Sequence, residues 1–122
     1  FLISGAVSTD KDVKKVKEIR EKSRVVVSLG DCAVTGNVPS LRNLFSLDDV
    51  TERVYSETGP EEAEAPHEDV PQLLERVRPV HSEIEVDAYI QGCPPGADLI
   101  HFFLGELAEG RLPGRGIRTT FG

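Results

Sequence analysis

The sequence contains no methionine and no tryptophan, only two cysteines and three histidines, and a deficit of basic charge. Each shortage excludes something. With 14 Lys and Arg against 21 Asp and Glu the formal net charge is -7, so the average field repels a phosphate backbone and nucleic acid is not an expected partner. Apolar runs such as Phe1-Leu2-Ile3 and Val25-Val26-Val27 fall far short of the roughly 20 residues that a membrane-spanning helix requires, so no transmembrane segment is expected. No basic start followed by an apolar stretch and a small-residue cleavage site marks a secretory signal, and the expectation is a soluble protein. Gly30 to Gly36 lacks the Lys-Ser/Thr ending of a phosphate loop, Gly114-Arg115-Gly116 follows no strand, and no serine stands in a nucleophile elbow. The opening Phe1-Leu2-Ile3, with no initiator, has the character of a buried strand. That leads us to expect a fragment with at least one further element upstream.

What is present fits one domain: 122 residues, 39% of them hydrophobic, can build a core. Phe1-Leu2-Ile3 predicts a short strand, and Ser8-Thr9-Asp10 offers caps to a helix over Asp10–Lys22 whose Val13, Val16 and Ile19 repeat at helical spacing. Its lysines are read as a solvated face. Arg24-Val25-Val26-Val27-Ser28-Leu29 is apolar without alternation, the pattern of a strand covered on both faces of a parallel sheet. A loop over 30–37 follows, and then a helix begun by Pro39 and carrying Leu41, Leu44 and Phe45. Residues 48–55 suggest another short helix, 56–68 an acidic loop, and 70–77 a moderately helical stretch. Glu85-Val86-Asp87-Ala88-Tyr89-Ile90 alternates as a strand does, and Ile100, Phe103, Leu104 and Leu107 mark one face of a helix over 97–109. The alternation of strands and helices predicts a doubly wound α/β domain with a parallel sheet.

The two cysteines occupy equivalent settings. Cys32 stands two residues after Gly30 and Cys93 one after Gly92, each just past the end of a predicted strand. Loops beyond the carboxyl ends of parallel strands gather on one edge, so the two sulfurs are candidates to converge. The glycines would let backbone pass close to a bulky group, and Pro94-Pro95 would stiffen the turn. From the residues alone three readings stay open: thiolate ligands, a pair of small buried hydrophobes, and a disulfide. A four-iron cluster takes four cysteine thiolates, two more than this sequence holds. His67, His81 and His101 have no ligand neighbour at helical spacing and are read as ordinary surface or core histidines.

Gly30-Asp31-Cys32-Ala33-Val34-Thr35-Gly36-Asn37-Val38-Pro39 with Arg42-Asn43, followed by Gly92-Cys93-Pro94-Pro95 and preceded by a Gly5-Ala6-Val7-Ser8-Thr9 turn, resembles the small subunits of nickel–iron hydrogenases. The likeness is to the short subunit of cytoplasmic, bidirectional, NAD-linked enzymes, within a group related to the 20 kDa subunit of NADH:ubiquinone oxidoreductase. It implies a flavodoxin-like fold and a single iron–sulfur-binding domain over 1–122. By this resemblance Cys32 and Cys93 are two of four ligands to a [4Fe-4S] cluster, with Gly30, Asp31, Gly92 and Pro94 around it. The other two ligands would come from a CxxC near the family's first strand, a region absent from this sequence. Implied partners are a nickel–iron large subunit that splits hydrogen and flavin- and NAD-binding diaphorase subunits that receive the electrons. Two rivals accompany this reading: a quinone-linked subunit of the complex I type, and an α/β interaction domain without metal. Ser4 departs from the pattern, because relatives usually carry an acidic residue there.

Overall fold

A computed structural model describes residues 1–57, 65–66 and 68–113. The middle of the acidic loop, His67 and Gly114-Arg115-Gly116 lie outside the described residues. The chain runs β1 (Leu2–Ser4), β2 (Val7–Thr9), α1 (Asp10–Lys22), β3 (Val27–Leu29), α2 (Asp31–Thr35), a 3-10 helix (Val38–Leu44) and α3 (Leu47–Thr51). A π-helical turn (Glu52–Glu57), β4 (Leu73–Arg78), a 3-10 turn (Val80–Ser82), β5 (Ala88–Ile90) and α4 (Ala97–Ala108) complete it.

Strands β1, β3 and β5 form a parallel sheet in that order, with Leu2, Val27 and Ala88 in one row and Ser4, Leu29 and Ile90 in another. Successive side chains leave a strand on opposite faces, and both faces here are covered. On one side Ile3, Val26 and Ala33 pack with Val16 of α1 and with Val7, Val80 and Val86. On the other, Val27, Ala88 and Ile90 pack against Phe103 of α4. This double cover explains the unbroken apolar run at Val25-Val26-Val27: Val26 and Val27 are fully buried, one on each side, each contributing about 2 kcal/mol, and Val25 is partly buried beside them. The α/β class with a parallel sheet, the Asp10–Lys22 helix and the last helix are as expected.

Helix α1 starts at a capping box: Thr9 Oγ1 accepts the Asp12 N–H at 3.1 Å, and Asp12 accepts the Thr9 N–H at 2.9 Å. Burial opposes the Asp12 charge, yet hydrogen bonds from Ser8 and Thr9 outweigh it and hold the carboxyl below its ordinary range.

Several expectations about local structure change, and β3 and β5 are shorter than the strands expected over 24–29 and 85–90. The stretch over 70–77 is not helical: β4 is a strand, antiparallel to β2, and Val7-Ser8-Thr9 is strand rather than turn. Leu73, Leu74 and Val77 imitate a helix face by spacing, but the segment gains hydrogen bonds on both edges. One edge pairs with β2; on the other, Asn43 acts as a surrogate strand, accepting the Val77 N–H at 2.7 Å and donating to the Val77 carbonyl at 2.8 Å. Arg42 Nη2 donates to the Leu74 carbonyl at 2.5 Å. The 30–37 loop contains α2, a helix of one and a half turns between Gly30 and Gly36. The segment begun by Pro39 is a 3-10 helix rather than an α-helix.

That 3-10 helix is inverted in polarity. Arg42 and Asn43 turn inward to β4, while Val38, Leu41, Leu44 and Phe45 are 62%, 59%, 76% and 62% exposed. Residues three apart eclipse in a 3-10 helix, so Val38, Leu41 and Leu44 stack into one apolar ridge.

Candidate functional site

Strands β3 and β5 are neighbours running in the same direction, so the residues after Leu29 and Ile90 emerge side by side at the carboxyl edge of the sheet. The Gly30 N–H donates to the Ile90 carbonyl at 2.7 Å, extending the ladder one step beyond the strands. The next step is a two-way pair. Asp31 N–H donates to the Gly92 carbonyl at 3.0 Å, and the Asp31 carboxylate accepts the Gly92 N–H through Oδ1 at 2.7 Å. Cys32 and Cys93 each follow directly on a residue of this pair. The convergence expected of the two cysteine loops is therefore observed between loops, with both thiols free, Cys32 half-buried and Cys93 exposed.

The glycines have a purpose that the sequence shows only indirectly. Gly30 and Gly92 have φ of +82° and +134°, where an L side chain is strained. A Cβ at Gly92 would lie 2.6 Å from Pro95 Cα and 2.8 Å from Pro95 N, so the turn closes only around hydrogen. At Gly30 a Cβ would sit 3.5 Å from the Gly92 carbonyl oxygen. Room for a bulky group is the expected reason for these glycines; the observed one is backbone conformation, a positive φ at both and, at Gly92, a turn that folds back tightly on Pro94 and Pro95. Pro94 is exposed beside Cys93, and the Cys93–Pro94 peptide is cis.

Asp31 is the residue whose role the sequence conceals. As a carboxylate near a cysteine it suggests a helix cap or a charge; Gly30 occupies the cap position of α2, and Asp31 instead ties the loops together. The sequence shows only an aspartate immediately after a strand-ending glycine; that a second glycine lies opposite is visible in the fold alone. Helix α2 is the fixed side of the site, because Ala33 and Val34 are buried and both their N–H groups donate to the Gly30 carbonyl at 3.1 Å.

The donor set fits part of a thiolate-held cluster. Two free thiols sit on tied, adjacent loops, and no group of three or more His, Cys, Asp and Glu able to hold a metal forms among the described residues. His81 is exposed, with its ring edge-on to Tyr89 at 6.1 Å, and His101 lies exposed on α4; neither joins the cysteines in such a group. No helix among the described residues is long and apolar enough to cross a membrane.

The mixed α/β fold with its parallel β1-β3-β5 sheet matches that of a hydrogenase small subunit. The chain belongs to the family described as NADH ubiquinone oxidoreductase, 20 Kd subunit, which matches residues 1–107. It is 45% identical over 101 residues to a subunit of the F420-non-reducing hydrogenase of Methanothermobacter thermautotrophicus, covering 80% of this chain and 33% of that relative. It is 36% identical over 114 residues to the NAD-reducing hydrogenase HoxS subunit delta of Cupriavidus necator, covering 89% of this chain and 54% of that one. A chain in the crystal structure of NAD+-reducing [NiFe]-hydrogenase in the H2-reduced state superposes with a TM-score of 0.90 at 32% identity, over 98% of this chain and 68% of that chain. The chain thus spans between a third and about half of the length of these curated relatives.

Proposed function

We propose that this chain is the electron-transferring small subunit of a nickel–iron hydrogenase, standing between a hydrogen-splitting large subunit and a flavin- and NAD-binding diaphorase module in the cytoplasm. Cys32 and Cys93 serve as two thiolate ligands of a [4Fe-4S] cluster, and two further thiolates come from outside these 122 residues. When bound, the cluster supplies a one-electron relay. The chain's own work is positional, within one iron–sulfur-binding domain over 1–122. Cys32 projects from a helix fixed to the sheet, Gly30 and Gly92 supply the positive-φ turns of the two loops, Asp31 ties them, and Pro94 stiffens the turn after Cys93. No bond is broken by a side chain of this subunit.

The observation that supports this reading is the Asp31–Gly92 pair, which ties together the two loops that carry Cys32 and Cys93. The apolar ridge of Val38, Leu41 and Leu44, with Phe45 exposed beside it, is a candidate contact surface for a partner subunit. Exposed apolar ridges of this kind often mark protein contacts. The family description also names ubiquinone, which keeps a quinone-linked subunit as the second reading.

The test is iron and acid-labile sulfide content, with electron paramagnetic resonance after reduction, on the assembly purified without oxygen. About four irons and a reducible signal, lost in Cys32→Ser and in Cys93→Ser, are expected. An assembly free of iron would leave a metal-free interaction domain as the better account.

A further inference from the structure

We propose that Asp31 is a positioning residue of the cysteine site: its carboxylate, acting as a hydrogen-bond acceptor, sets the register of the Cys93 loop against Cys32 before any iron is bound. The consequence for iron rests on the iron–sulfur reading above; the geometry does not.

The two sides of the site differ in how they are held. Cys32 belongs to α2, which is anchored by buried Ala33 and Val34. Cys93 and Pro94 are exposed, and what fixes their turn from outside is the clasp to Asp31. Among the described residues the Gly92 N–H has no acceptor other than Asp31 Oδ1. Removing that oxygen leaves a part-buried donor unsatisfied and frees the residue directly before Cys93. Asp31 forms no ion pair among the described residues, so a salt bridge does not explain its place. Acceptor geometry does, and asparagine, whose Oδ1 also accepts, should reproduce it.

The experiment compares Asp31→Ala and Asp31→Asn with the parent chain in two states. In the metal-free protein, amide exchange at Gly92 and alkylation of Cys93 are followed by mass spectrometry, with Val26 at the opposite end of the sheet as a reference for global opening. In the assembly loaded without oxygen, iron content and the resonance signal are measured. Asp31→Ala is expected to speed Gly92 exchange and Cys93 alkylation about tenfold, the effect of one lost hydrogen bond, with Val26 unchanged. It should also at least halve the iron bound and broaden the signal, while Asp31→Asn restores all four readouts. Unchanged Gly92 exchange in Asp31→Ala, or an Asn variant as defective as Ala, would overturn the proposal. If Asp31→Ala unfolds outright, the Asn variant decides alone. If the parent assembly holds no iron, the iron–sulfur reading falls, and Gly92 exchange still decides the clasp.

Discussion

The two ends of the β3–β5 pair are closed by the same device. At the carboxyl end Asp31 donates its N–H to Gly92 and accepts the Gly92 N–H on its side chain; at the amino end Asp87 does the same with Val26, at 2.9 and 2.7 Å. The difference lies in what else touches the carboxylate. Asp87 is joined at 2.6 Å by Arg20, which also bonds the Glu85 and Ser23 carbonyls and so ties the end of α1 to the sheet. Asp31 is without such a cation among the described residues and stands beside a cysteine. One clasp is joined to a cation and ties a helix to the sheet; the other, without an ion pair among the described residues, links the two loops that carry the cysteines. An identical backbone solution thus becomes architecture at one end and a candidate site at the other, and the neighbours decide which.

The comparison breaks most severely at Gly92. Gly92→Ala places a methyl within 3 Å of Pro95 backbone at a φ closed to L residues, so it should cost about 3 kcal/mol and abolish the carboxyl-end clasp. Urea unfolding measures the loss, and an unchanged midpoint would mean that the turn rearranges freely. Asp87→Ala removes a charge-assisted hydrogen bond and strands Arg20, which should cost about 2 kcal/mol in the same assay. Asp31→Ala should cost less in global stability than Asp87→Ala, because no ion pair goes with it. The reverse order would erase the distinction between the two ends.

Acid offers a finer separation. The hydrogen bond from Arg20, then the Val26 N–H, hold the Asp87 carboxyl below its ordinary value. A group depressed in the folded state contributes fully above its unfolded pKa, near 4, and its contribution disappears as pH falls through the folded value. Stability measured from pH 6 to pH 2 should therefore fall less steeply below about pH 4 in Asp87→Asn than in the parent. Parallel curves would show that the Asp87 charge contributes nothing. The smallest expected effect is a gain. Ser28, in the centre of β3 between the two clasps, is fully buried and its hydroxyl has no partner among the described residues, so Ser28→Ala should stabilise by about 1 kcal/mol in thermal or urea unfolding.

The layered framework was legible in the sequence because its signals are local: Val13, Val16 and Ile19 repeat within one helix, and Val25-Val26-Val27 leads into one strand. The β2–β4 ribbon was not legible, because what makes 73–78 a strand lies elsewhere, in Val7, Thr9 and the side chain of Asn43. Helix α2 was hidden by the glycines at both its ends, which mark a loop to any local reading. Among the site residues, the two cysteines and their glycines were visible from position after a strand. The clasp at Asp31 was not, since nothing in a one-dimensional string places its carboxylate on an amide 61 residues away.

The ridge formed by Val38, Leu41, Leu44 and Phe45 has a consequence for the life of the chain in a cell. Four large apolar side chains in a row, with the polar residues of the same segment turned inward, make the unassembled polypeptide adhesive to its own copies and visible to chaperones. Burial of that ridge against another surface would remove this liability, so exposure of the ridge, rather than the stability of the sheet, is what limits the chain as an isolated molecule.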